Sequence, residues 1–202
     1  MRRLLASCIF ITMASVAQAQ PFPQLFDVQD VATDDVLNVR AEPTASSEIV
    51  GTLGHDAQGV EVVASNEEGT WGLVNTDERS GWVNLRYLGA GRVHIDNYNL
   101  PDGLFCYGTE PFWSASNIGG ALHFDTPDMP GRDLSIWIAQ DSGIAEDLRR
   151  MVHMGGIGGP ASAFIYPASC NDGMSDREFG LAISMMTAPD APLLSGCCTL
   201  NR

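Results

Sequence analysis

Apolar and polar positions alternate in short runs along most of the chain. Val36-Leu37-Asn38-Val39-Arg40 alternates and ends shortly before Pro43. Glu48–Leu53, Gly59–Ala64 and Thr70–Val74 follow, separated by polar turns such as Asn66-Glu67-Glu68-Gly69, and a turn around Asp77–Gly81 leads to Trp82-Val83-Asn84. Runs this short and this regularly punctuated predict a small all-β barrel or sandwich over residues 25–89. Residues 90–103, polar and carrying glycine and proline, read as a linker. From Leu104 the same period returns. Phe112–Asn117 and Ala121–Phe124 flank a turn at Ile118-Gly119-Gly120, Leu134, Ile136 and Ile138 alternate with Ser135 and Trp137, and Phe179, Leu181, Ile183 and Met185 alternate with smaller residues. A period of two predicts antiparallel sheet, here a second, barrel-like β domain over 104–202. One stretch reads differently. Asp141-Ser142 precedes Ile144, Leu148, Met151 and Val152 on one helical face, with His153 and Gly155 at its end, which predicts one short helix. The glycine run 155–160 after it reads as a mobile loop.

The N-terminus changes the compartment. Arg2 and Arg3 precede an apolar run that ends at Ala17-Gln18-Ala19, the pattern of a signal peptide over residues 1–19. The run is too short to span a bilayer, so the expected product is periplasmic or secreted and not membrane-spanning. Cys8 lies inside the apolar region and is lost with it. Cleavage removes two of 11 basic residues and none of 25 acidic ones, leaving a formal charge of −16. Every basic residue is arginine. Such a charge repels nucleic acid and anionic surfaces and suits a cationic partner.

Cys106, Cys170, Cys197 and Cys198 remain, all in the second half, and an even count in an oxidising compartment predicts disulfides. Adjacent strand residues point to opposite faces, so Cys197 and Cys198 need different partners. The first choice is Cys170 with Cys197 and Cys106 with Cys198; the swapped pairing stays open.

The order LNVR, EIVGTL, GVEVV, GTWGLV, SGWVNLRYL over residues 33–89 resembles the bacterial Src-homology-3-type (SH3-type) domain of exported proteins. The resemblance implies a small barrel with a peptide-binding groove, in which Asn38, Arg40, Trp71, Trp82 and Tyr87 fall at suitable places, and a partner that is a cell-wall peptide or an envelope protein. The plainer reading makes both tryptophans core residues. Cys106–Trp113 (CYGTEPFW), Cys170–Arg177 (CNDGMSDR) and Gly196-Cys197 resemble a family of exported bacterial domains to which no activity is attached. That resemblance implies a fold unit over residues 104–198 and an envelope location.

CNDGMSDR holds the residue types of a reaction centre. Ser175 has no adjacent histidine, and His55, His94, His123 and His153 show no triad order or nucleophile elbow. The oxygen spacing suits calcium poorly. Asn-Asp-Gly forms turns, and Ser175 and Asp176 can bond freed backbone groups, so a pinned turn is expected. Its second possibility is a ligand-binding rim formed by Glu110, Trp113, Asp172, Asp176 and Arg177. Met151, His153 and Met154, with Met185-Met186, offer soft ligands for copper(I), although methionine more often fills cores. The expectation is a non-enzymatic binding protein with no cofactor and no metal. The alternatives are a cell-wall hydrolase, an inhibitor of a basic lytic enzyme, and periplasmic copper handling.

Overall fold

The computed structural model describes residues 22–201. The expected signal peptide over residues 1–19, with Cys8, lies outside these residues. The described chain is mainly β, with almost no helix, in two units. The first runs β1 (Gln24–Val28), β2 (Val36–Arg40), β3 (Ile49–Gly54), β4 (Val60–Ser65), β5 (Trp71–Thr76), β6 (Arg79–Asn84), a 3₁₀ turn at Leu85–Tyr87, and β7 (Leu88–Ala90). Its sheet order is β3-β2-β6-β5-β4-β1-β7. Leu37, Val39, Val62, Val74, Val83 and Leu88 form its core. Asn38 and Arg40 alternate with the first two and therefore face away.

The second unit is a closed antiparallel barrel in which each strand pairs with its sequence neighbour: β8 (Phe105–Thr109), β9 (Phe112–Asn117), β10 (Ala121–Thr126), β11 (Met129–Gln140), β12 (Arg150–Gly156), β13 (Gly159–Cys170), β14 (Phe179–Met186) and β15 (Leu194–Thr199). Pairing of β15 with β8 closes it. Eight strands enclose a space that side chains can fill. Trp113, Leu122, Leu134, Met154, Ile165 and Leu181 do so. Leu100, from the segment between the units, is fully buried in that same core, and Asp96 organises the segment by accepting from the Tyr98 and Leu100 N–H groups.

The short helix is not formed. Residues 141–149 form an irregular loop with a bend and a turn over 143–146, in which Asp141 accepts from Gly143 N–H and Asp147 from Arg149 N–H. From Arg150 the chain is strand β12, with Val152 and Met154 inward and Met151 and His153 between them. The apolar positions at 148, 152 and 154 serve a period of two as well as the others serve a helical one, and pairing with both β11 and β13 decides for strand. The glycine run is the tight turn of the β12–β13 hairpin, with Gly156 opposite Gly159 and positive φ at Gly158 and Gly159. In β11 a bulge at Trp137 reverses the alternation, so Ile138 is exposed and Ala139 packs inward.

The disulfides are Cys106–Cys198 and Cys170–Cys197. Cys106 and Cys198 face each other across β8 and β15 inside the barrel. Cys197 points to the outer face and takes Cys170 at the end of β13. The adjacent cysteines thus staple opposite faces of one strand.

The two units dock through polar contacts. Asp176 receives a hydrogen bond from Ser80 N–H on its carbonyl and donates its own N–H to the Glu78 carbonyl. Asn75 donates to the Glu178 carbonyl and accepts from its N–H, at 2.8 and 3.2 Å. On the other side the Glu61 carboxylate accepts from the Thr199 hydroxyl and from Leu200 N–H, and Asn201 donates to the Gly59 carbonyl. Leu25 packs on the barrel core, and a Cβ at Gly180 would fall 2.8 Å from the Pro23 ring.

Candidate functional site

The outer face of the first unit carries a groove of about 580 Å³. Strand alternation builds its floor. Trp71 lies opposite Asn84, and Arg40 opposite Trp82, while Gly72, Val74 and Val83 point inward. Of the five residues expected in the groove, Asn38, Arg40, Trp71 and Tyr87 line it. Trp82 shares the sheet face but is not part of the lining. Neither tryptophan belongs to the buried core of the unit. Arg40 is fixed by donating to the Ser47 carbonyl at 2.6 Å, and the Arg86 guanidinium stacks 4.8 Å above the Tyr87 ring. Asp30, Asp35 and Arg86 also line the groove, so charges of both signs meet two aromatic faces. Sequence reasoning missed these three. They sit in loops and a 3₁₀ turn, where no periodicity marks the side that a residue faces; the only signal was the charge beside Tyr87 in Asn84–Leu88 (NLRYL).

The five residues expected to form one rim in the second unit divide into two groups. Glu110, Trp113 and Asp172 line two adjoining grooves, of about 460 and 790 Å³, which share Tyr107, Gly108, Thr109, Phe112, Asp172 and Met174. Asp176 and Arg177 line neither. Asp176 is held at the junction by its backbone, and the Arg177 guanidinium lies 5.2 Å from the Phe179 ring. Among the described residues no ion pair joins Arg177 to Asp172 or Glu110. Trp113 is almost wholly buried, and its indole Nε1 lies against Gly108, where any Cβ would collide with it.

Asp172 organises the loop. It accepts from Met174 N–H and Ser175 N–H at 2.9 and 2.8 Å, from the Tyr107 hydroxyl at 2.9 Å, and from the Ser175 hydroxyl. Burial alone would raise its pKa, but these donated bonds outweigh burial and hold it below the ordinary aspartate value. Burial, and then the bond to Asp172, push the Tyr107 hydroxyl well above the usual tyrosine range. The Ser175 hydroxyl is occupied by Asp172 and accepts from Arg177 N–H. His123 pairs with Asp133 at 2.7 Å, on β10 and β11. No nucleophile–base pair is assembled around CNDGMSDR.

Met154 and Met185 are buried in the barrel core, whereas His153 and Met186 face outward on strands separated by β13. Among the described residues no group of three or more His, Cys, Asp or Glu side chains is placed to hold a metal ion. No helix among them is long and apolar enough to cross a membrane.

The first unit is a seven-stranded antiparallel sheet that carries an aromatic and charged groove on its outer face, a fold of SH3-like type. Residues 35–89 match the family model described as bacterial SH3 domain, which covers β2 to β7 and the groove wall formed by Asn38, Arg40, Trp71 and Tyr87. No curated protein and no solved structure matches the chain.

Proposed function

We propose that the protein is an exported, non-enzymatic binding protein of the cell envelope, whose SH3-type groove engages a cell-wall peptide or an extended segment of an envelope protein. The observation that supports this most directly is the groove itself. Trp71 and Tyr87 supply rigid faces that lose little conformational freedom on binding. Arg40 and Arg86 on one hand, and Asp30 and Asp35 on the other, suit a ligand that carries both carboxylate and amine, as peptides do. Two disulfides fit an oxidising compartment.

The test is co-sedimentation of the signal-cleaved chain with purified cell-wall sacculi, paired with capture from envelope extract. Wild type is expected to sediment with sacculi or to retain an envelope protein, and Trp71→Ala and Arg40→Ala to lose at least about ten-fold of that binding. Retention by Trp71→Ala equal to wild type, or no binding in either arm, would overturn the reading.

A further inference from the structure

Tyr107 is the shared floor of the two adjoining grooves on the second barrel, and the loop bearing Asp172 and Met174 overhangs them. We propose that this trough is a second binding site, independent of the SH3-type groove, and that it takes an organic cation with an apolar body: an alkyl or arylalkyl group ending in ammonium or guanidinium.

Charge makes the first selection. Glu110, Asp125 and Asp172 line the trough, and no arginine or histidine does. Asp172 stays ionised throughout the neutral range because its hydrogen bonds favour the charged form. An anion would meet three carboxylates in the lining, whereas a cation meets three opposite charges there; Arg177, whose charge reaches Tyr107, lies outside the lining.

The walls make the second selection. Phe112 and Met174 are 53% and 68% exposed, large for apolar side chains on either flank of one depression. Methionine is unbranched and adapts to the shape of what it touches. The exposed ring of Phe112 offers a π face to a cation, while the Tyr107 ring is packed against Phe105 and Phe179 and serves as wall. A volume of about 460 Å³ is of the size that small ligands and single side chains fill. The site therefore recognises an apolar body and a positive terminus together.

The same chemistry arrives on a free amine or on a basic peptide, and two probe arms separate these sources. Backbone amide shifts of the disulfide-intact chain are followed by NMR during titration with phenethylammonium, and with acetyl-Phe-Arg-amide. Phenethyl alcohol and acetyl-Phe-Glu-amide are the controls without positive charge. Saturable shifts at Phe112, Ser114, Asp125 and Met174 are expected with a cation, with the controls at least about five-fold weaker. Saturation by the peptide alone identifies a basic peptide as the ligand, by the amine alone a small amine, and by both the cation itself; each supports the site. Asp125→Asn and Phe112→Ala, both at exposed positions, should each weaken binding about five-fold with the near-ultraviolet spectrum unchanged. Trp71→Ala should leave it intact, which separates this site from the SH3-type groove. No saturable shift with either cation, equal binding of the glutamate peptide or the alcohol, or shifts confined to the Trp71–Tyr87 groove would overturn the proposal.

Discussion

Glu61 sets a pH dependence on the joint between the two units. It projects from β4 toward the C-terminal residues of the barrel, where both carboxylate oxygens are engaged by the Thr199 hydroxyl and Leu200 N–H. The residue keeps some exposed surface, but its carboxyl end is enclosed by the docked unit. Burial dominates and pushes its pKa from 4.5 up to about 7, against the pull of the Thr199 and Leu200 bonds and of the Arg177 charge. The sign follows from linkage. Below the ordinary value the carboxyl is protonated in folded and unfolded chains alike, and it has no effect. As pH rises from 4.5 to about 7 the unfolded chain releases the proton while the folded chain retains it, so stability falls. Above about 7 the folded chain holds a buried carboxylate at full penalty.

At 1.36 kcal/mol per unit, that shift corresponds to about 3 kcal/mol in the upper limit. Glu61→Gln removes the titration and keeps the contacts. The amide oxygen still accepts from Leu200 N–H, and the amide nitrogen can donate to the Thr199 oxygen, whose own proton already has the Asn201 carbonyl 3.0 Å away. The assay is chemical denaturation of both proteins at about pH 5 and about pH 8, read as the difference between them so that other titrating groups cancel. The stability of the variant relative to wild type is expected to improve by about 2–3 kcal/mol between the two conditions. Asp172, held below the ordinary value of 3.8, acts in the opposite direction, but its stabilisation is lost only in acid below that value and does not enter this window. An unchanged difference between the two pH values would refute the enclosure of Glu61.

Two further predictions concern the same assembly. Asn75→Ala deletes both bonds to Glu178 and the acceptor of the Ser80 hydroxyl, and should cost about 1–3 kcal/mol with faster amide exchange at Asp176–Glu178; unaltered exchange there would mean that the loop does not dock on the hairpin. Leu100→Ala should cost about 2–5 kcal/mol by denaturation, the loss expected of a barrel-core leucine, whereas a loss under about 0.5 kcal/mol would show that the segment before β8 is a tether and not part of the core.

The parts legible in the sequence were those governed by local periodicity. The alternation in Val36–Arg40 and in Thr70–Val74 marked the strands, whereas the placing of Asn38, Arg40 and Trp71 in a groove came only with the family resemblance, and the plainer reading had Trp71 in the core. The same rule separated Cys197 from Cys198 but left the swapped pairing open; the structure has the first choice, Cys170–Cys197 and Cys106–Cys198. Between Asp141 and His153 it was ambiguous, because apolar residues three and four apart fit a helix while those at 148, 152 and 154 fit a strand. Only the neighbours β11 and β13 resolve it, and no local pattern carries that information. Glu61 shows the same limit more sharply. Its partners Thr199 and Leu200 are nearly 140 positions away, at separations of 138 and 139 residues. Asp176 and Arg177 carried the chemistry of a rim, but which of six polar residues in one loop faces outward depends on what packs against that loop.

The loop Cys170–Glu178 is fixed at three places, and this explains its residue types better than catalysis does. The disulfide to Cys197 holds its start, Asp172 ties its middle to Tyr107 of β8, and Asp176 and Glu178 fasten its end to the β5–β6 hairpin. A general base working near neutral pH needs a pKa close to the operating value and a free lone pair directed at substrate. Asp172 has the reverse: its pKa is lowered, and its oxygens already accept from two N–H groups and two hydroxyls. The Ser175 hydroxyl is committed to that same carboxylate, and the Asp176 backbone to the first unit. What the arrangement leaves to Asp172 is charge without proton transfer, at a trough that it lines together with Glu110 and Asp125. The cation site proposed above draws on that fixed charge, beside exposed Phe112 and Met174, and asks no proton transfer of Asp172.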